Sequence, residues 1–84
     1  MLQIIYNQDV ANNSHGLLGV HQPAHNELVF VSPQLALAGC PTTNAGAAID
    51  WCALNKNLRL VSRKQTKMVS RTVREMTLTL EVTQ

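Results

Sequence analysis

The chain has 84 residues, of which 45% are hydrophobic and 14% are charged. A chain of this length builds one hydrophobic core and this composition is that of a globular domain, so two independent domains and a fully disordered chain are excluded. We therefore expect a single domain over residues 1–84. The net charge of +2 conceals a segregation, because all seven Lys and Arg residues lie within 56–74, whereas residues 1–55 contain three acidic residues and no basic one.

The first third of the chain predicts two strands separated by a loop. Alternating apolar residues predict a strand near residues 1–6. Residues 7–26 are rich in Asn, His, Gly and Pro, which favours a loop holding a short strand at 17–20. The apolar run 28–31 is too short for a helix and predicts a buried strand.

Two helices are predicted in the middle of the chain. The Ser-Pro pair at 32–33 is a typical helix start, and Gly39 is a suitable end for a helix of one or two turns. Apolar residues at helical spacing then predict the principal helix over 43–55, with Thr43 or Asn44 as its N-cap.

The C-terminal third predicts a strand near 58–63, a polar turn at 63–67 and a second strand near 68–83. The fold class is therefore α+β: a small, mainly antiparallel sheet with one principal helix packed on one face and a long basic C-terminal hairpin. We expect the core to contain Phe30, Ile49, Trp51, Cys52, Leu58, Leu60, Leu78 and Leu80.

The basic segment is the candidate functional site. Such a charge asymmetry points to nucleic acid or to another acidic surface. Strand alternation would place Arg59 and Arg63 on one face and put Lys64 and Lys67 at the turn. In the absence of a bulge, it would set Arg71 on the face of the last strand that bears Thr77, Thr79 and Glu81. The predicted nucleic-acid-binding residues are Arg59, Arg63, Lys64, Lys67, Arg71 and Arg74.

Within this set, Arg63 and Lys64 are expected to contribute most, because the tip of a hairpin reaches furthest. Arginine binds phosphate with two parallel hydrogen bonds, which favours nucleic acid over a merely solubilising role. The segment contains none of the chain's three aromatic residues, although readers of single strands usually stack bases on such rings. The alternative to binding is a solvated hairpin whose charges prevent aggregation. If nucleic acid is the ligand, both DNA and RNA stay open.

A second hypothesis is a non-enzymatic protein–protein module, such as a viral or phage-type assembly subunit or an inhibitor. Its mechanism would be strand addition along the edge of Met76–Thr83. An acidic protein partner would satisfy the basic segment as well as nucleic acid does, and self-association stays open. The order short helix, turn, helix, hairpin also matches a winged helix-turn-helix, but the second helix contains Asp50 and no basic residue.

The sequence predicts no catalytic residue, cofactor or metal. His15, His21, His25, Cys40 and Cys52 do not match the spacing of a metal site. The least implausible enzyme would be a metal-free RNA-cleaving one that uses His15 or His21.

The N-terminal residues lack the basic and apolar segments of a secretory signal, and the uncharged stretch 28–49 is interrupted by two prolines. We therefore expect a cytoplasmic protein with no membrane partner. In that compartment Cys40 and Cys52 are expected to be reduced thiols rather than a disulfide.

Overall fold

The computed structural model describes residues 2–9, 14–15, 21–22 and 27–83. In chain order its elements are β1 (Leu2–Asp9), β2 (Ser14–His15), β3 (His21–Gln22), β4 (Leu28–Val31), α1 (Pro33–Leu37), α2 (Ala45–Leu54), β5 (Leu58–Met68) and β6 (Val73–Val82). Four of the strands form an antiparallel sheet in the order β4-β1-β6-β5, and β2 pairs with β3. The predicted α+β class is confirmed.

Strand β6 lies inside the sheet, between β1 and β5. All eight residues of β1 pair with β6, from Leu2 opposite Leu80 to Asp9 opposite Val73. Period-2 alternation puts Ile4 and Tyr6 of β1 and Met76, Leu78 and Leu80 of β6 on one face, which packs against the helices. The buried core consists of Ile4, Tyr6, Leu35, Cys40, Ala45, Ala48, Ile49, Cys52, Met76, Leu78 and Leu80.

Helix α2 begins as the sequence predicted. Asn44 occupies the N-cap with extended backbone angles, and its Oδ1 accepts a hydrogen bond from the backbone N–H of Ala47 at 2.7 Å. Ala45 and Ala48 are fully buried. Their small side chains let the helix approach the sheet closely, while Trp51 is half-buried beside the core.

The short helix also lies where it was predicted. Ser32 is at the N-cap of α1 and Pro33 is its first residue, but the Ser32 side chain does not cap the helix and its buried Oγ has no hydrogen-bond partner. Gly39 follows the helix with φ of +110°, a conformation that side-chain-bearing residues rarely adopt. Glycine thus permits the reversal that brings Cys40 back to the core.

The predicted turn at 63–67 is wrong. Strand β5 continues to Met68, and the chain reverses at residues 69–72. From Val61 onward every residue of β5 is exposed. This is an edge strand with solvent on both sides, so it lacks the apolar alternation that marks a strand in a sequence.

Two further expectations about the N-terminal half need correction. Residues 7–9, assigned to a loop, continue β1 because they pair with β6. The strand at 28–31 was expected to be buried but lies at the edge of the sheet. Phe30, expected in the core, is 40% exposed. Phe30 pairs with Ile5, whose side chain points away from the helices. The predicted short strand at 17–20 lies outside the described residues.

In the described part of the chain, neither helix has the length and apolar character that crossing a membrane requires. Cys40 and Cys52 are free and buried, as expected for reduced thiols.

Candidate functional site

Two β-bulges decide which way the basic side chains of β5 point. Leu60 is opposite Leu80 and Ser62 is opposite Thr79, so Val61 is an extra residue. A second register shift makes Thr66 the other extra residue. An inserted residue in one strand offsets the alternation of faces by one position.

The predicted shared face of Arg59 and Arg63 is therefore wrong. Arg59 pairs with Glu81 on the face turned away from the helices, whereas Arg63 pairs with Leu78, a core residue on the helix side. The turn predicted around Lys64 and Lys67 is also wrong, because both lie within β5. Arg71 lies in the reversal at 69–72 and not on the strand β6.

We call the sheet surface opposite the helices the open face. Cross-strand neighbours on this face form successive rows. One row is Gln3, Thr79 and Ser62, the next is Phe30, Ile5, Thr77 and Lys64, and the third is Asn7, Glu75 and Lys67.

Some basic residues already have partners. Arg59 donates from Nε to Oε1 of Glu81 at 2.8 Å, and Nζ of Lys67 lies 3.8 Å from Oε2 of Glu75. Both pairs are on the open face and neutralise Glu75 and Glu81.

Four exposed cations, Lys56, Arg63, Lys64 and Arg71, have no ion-pair partner among the described residues. Together with Lys67 and Arg74, the cations Arg63, Lys64 and Arg71 occupy the part of the β5–β6 hairpin that runs from the middle of both strands to the reversal at 69–72. We call the five residues Arg63, Lys64, Lys67, Arg71 and Arg74 the cationic arm. The predicted cations other than Arg59 thus lie along one half of this hairpin, on both faces of the sheet, whereas Arg59 lies near the start of β5.

Arg74 is fixed on the helix side of the sheet. Its Nε and Nη2 donate to Oε1 of the buried Gln8 at 3.1 and 3.0 Å. Burial raises the pKa of Tyr6, while the positive charges of Arg63 and Arg74 oppose that shift. The ring of Tyr6 therefore belongs to the core and is not offered to a ligand.

The open face contains a groove of about 550 Å³. Its described lining is polar, with the exception of Ile5, and carries one positive charge. The lining residues are Gln3, Ile5, Ser62, Lys64, Thr66, Thr77 and Thr79.

Hydroxyl groups in this groove form a directed chain. The Thr66 hydroxyl donates to Oε1 of Glu75 at 2.8 Å, and the Thr77 hydroxyl donates to Oγ1 of Thr66 at 3.5 Å. An ionised carboxylate only accepts hydrogen bonds, so both protons point toward Glu75. Thr77 is buried and Thr66 is exposed, so the remaining lone pair of the Thr66 hydroxyl is the acceptor open to a ligand.

Phe30 is the residue that sequence reasoning missed. It lies in a separate stretch of the chain from the basic residues, but the sheet places it in the same cross-strand row as Lys64. Tyr6 is 1% exposed and Trp51 lies on the helix side. Phe30 is thus the aromatic residue of the open face, and no periodicity in its four-residue apolar run could have assigned its face.

A second cavity of about 240 Å³ lies at the opposite end of the molecule. It is bordered by Leu35 and Trp51 from the helices and by Leu58 and Val82 from the strands. None of its described lining residues is charged, and it is smaller than the usual range of about 300–1,000 Å³ for ligand pockets.

The two thiols form one buried pair. Cys40 follows the reversal at Gly39, and Cys52 lies on α2. Burial, together with the charge of the neighbouring Cys40 thiolate and a hydrogen bond to Cys40, raises the pKa of Cys52 to about 12. Burial also raises the pKa of Cys40. A thiol that holds its proton this strongly is a poor nucleophile at neutral pH.

His15 and His21 are opposite each other in the β2–β3 pair, and His25 lies outside the described residues. Among the residues that the structure describes, no three His, Cys, Asp or Glu side chains come together in a way that could hold a metal ion.

No protein-family model, curated protein or solved structure matches this chain.

Proposed function

We propose that this protein binds nucleic acid by contacting phosphates through the cationic arm. The observation that supports the proposal most strongly is that Arg63, Lys64 and Arg71 are exposed on the same half of the β5–β6 hairpin without an acidic partner among the described residues. Such cations attract phosphate without first breaking an ion pair. Binding then releases the counterions condensed on the nucleic acid, which favours association.

The arrangement also ranks the basic residues. Arg63, Lys64 and Arg71 should contribute most, and Lys67 and Arg74 less, because Glu75 and Gln8 already hold them. This ranking replaces the argument from the hairpin tip, since Arg63 and Lys64 lie within β5.

Strand addition along Met76–Thr83, the mechanism of the alternative protein–protein function, is wrong because β6 is paired on both sides. The edge next to it is β5, which carries two bulges and several Lys and Arg side chains. Both features disfavour the addition of another strand. This edge is therefore a poor site for the addition of a partner strand.

The proposal is tested by titrating labelled single-stranded and duplex oligonucleotides over a series of salt concentrations. Arg63→Gln/Lys64→Gln removes two unpaired charges. Lys56→Gln/Arg59→Gln is the matched control, because it removes two charges from the other end of the same segment, where Arg59 is already paired with Glu81.

We expect the wild type and the control to show a steep salt dependence. The arm variant should bind more weakly, and the slope of log K against log salt should become shallower by about 0.7 for each lost single-strand phosphate contact. Equal affinity of the two double variants would contradict a role for the arm. Binding of a polyglutamate peptide in place of both oligonucleotides would point to an acidic protein partner instead.

A further inference from the structure

A cross-strand row on the open face joins an aromatic ring at one edge of the sheet to a cation at the other. Phe30 of β4 is 40% exposed, and Lys64 of β5 is exposed without an acidic partner among the described residues. Ile5 and Thr77 lie between them in the row. Adjacent strands are about 4.8 Å apart, so the ring and the cation are separated by about 14 Å across the sheet.

An exposed aromatic ring beside a positively charged groove is a binding surface for unpaired bases. In a duplex each base is covered by its neighbours in the stack, whereas a base of a single strand can lie on a protein ring. Phosphates of the same strand can then reach lysine and arginine side chains. Phe30 and Lys64 supply these two groups on one surface.

The hydroxyl chain of the groove favours RNA over DNA. The protons of Thr66 and the buried Thr77 point toward Glu75, so the exposed Thr66 hydroxyl offers an acceptor to a ligand. A phosphate has no hydrogen to donate to it, but the ribose 2′-hydroxyl both donates and accepts. Deoxyribose lacks that group.

We propose that the open face binds single-stranded RNA, with a base stacked on Phe30, a phosphate at Lys64 and a ribose 2′-hydroxyl donating to the hydroxyl of Thr66. This inference rests on the proposed function, because the cationic arm supplies most of the electrostatic attraction. It adds the class of nucleic acid and the surface that selects it.

The test compares a short RNA strand of mixed sequence with the same strand in DNA and with the RNA duplex, using the full chain. Phe30→Ala removes the ring, and Phe30→Trp keeps an aromatic group. Val29→Ala is the matched control, because Val29 is the neighbouring apolar residue of β4 and is 48% exposed. Circular dichroism verifies that each variant is folded.

We expect Phe30→Ala to weaken binding of the RNA strand by about 5-fold or more and to leave duplex binding unchanged. Phe30→Trp and Val29→Ala should retain affinity. RNA should also quench the tryptophan fluorescence of Phe30→Trp more than that of the wild type, whose Trp51 is on the other side of the sheet. Thr66→Val should reduce the preference for RNA over DNA.

The failures are distinguishable. If Phe30→Ala binds the RNA strand as tightly as the wild type while Arg63→Gln/Lys64→Gln loses affinity, the single-strand surface is refuted and phosphate binding by the arm stands. If the arm variant retains full affinity, the proposed function fails. Equal affinity for the DNA strand with the same dependence on Phe30 would overturn the assignment to RNA.

Discussion

Asn44 fixes the start of α2 through a single hydrogen bond. Its Oδ1 accepts from the N–H of Ala47 at 2.7 Å, in a half-buried position. We predict that Asn44→Ala lowers the free energy of unfolding by about 1 kcal/mol, because that N–H loses its partner. Urea denaturation measures the change. Asn44→Asp, which keeps an acceptor, should restore most of the loss, and equal stabilities of the two variants would contradict the cap.

Cys52 makes stability depend on pH in the alkaline range. Its pKa is raised from 9.0 to about 12, so the folded chain holds the proton more tightly than the unfolded chain does. The resulting stabilisation is complete below about pH 9 and is lost as the pH rises toward about 12.

We therefore predict that the urea midpoint falls between about pH 8 and about pH 10, and that it falls less in Cys52→Ala. Equal decreases in both proteins would show that this thiol is not the source of the dependence. Cys40→Ala gives a second comparison, because the pKa of Cys40 is raised in the same direction.

At the level of elements, the two bulges of β5 determine on which face of the sheet each cation of this strand lies. Val61 has no opposite residue, so its deletion would leave Leu60 and Ser62 adjacent and still facing Leu80 and Thr79. We predict that the protein lacking Val61 folds and keeps Lys64 on the open face.

Deletion of Thr79 is the contrasting change. Strand β6 is paired on both sides, and its register with β1 is regular. Losing one residue shifts the register of part of β6, so the apolar side chains of that part turn toward solvent. Circular dichroism and thermal unfolding should show a folded protein in the first case and loss of cooperative unfolding in the second. A folded, equally stable variant without Thr79 would contradict the register.

The elements that could be predicted from sequence are those that leave a local pattern of burial or capping. The strand over Met76–Val82 could be predicted because burial of one face leaves an alternating pattern. The Asn44 cap could be predicted because the first N–H groups of a helix need an acceptor nearby in the sequence. The basic part of β5 was mistaken for a turn because both its faces are in solvent. Neither bulge has a sequence signature here.

The candidate site was predictable only as a list of charges. Clustering within 56–74 is a property of the sequence, but which charges are neutralised depends on pairs such as Arg59 with Glu81, 22 residues apart. The contribution of Phe30 depends on pairing across β1 and β6, and such long-range contacts have no local signal. The sequence therefore identifies the basic segment but not the surface on which its side chains lie.

For the whole molecule, folding and binding are assigned to different regions. The molecule measures 39 × 21 × 20 Å. Its core lies on the helix side of the sheet, while the cationic arm follows the β5–β6 hairpin from mid-strand to the reversal at 69–72. Arg63→Gln/Lys64→Gln should change the free energy of unfolding by no more than about 0.5 kcal/mol, as expected for exposed residues without partners.

Leu78→Asp should instead abolish folding, because it places an unpaired carboxylate at a position with 0% exposure. Thermal unfolding of both variants measures this separation. A large loss of stability in the arm variant would mean that these cations have a structural role.

The most direct measurement is a two-dimensional NMR titration of the isotope-labelled protein with a short single-stranded RNA. We expect amide shifts to concentrate at residues 62–74 and around Phe30 and to disappear at high salt, and we expect no response around Trp51 and Cys52. The absence of any shift at low salt, or shifts centred on the cavity beside Trp51, would contradict the claim that the cationic arm binds nucleic acid.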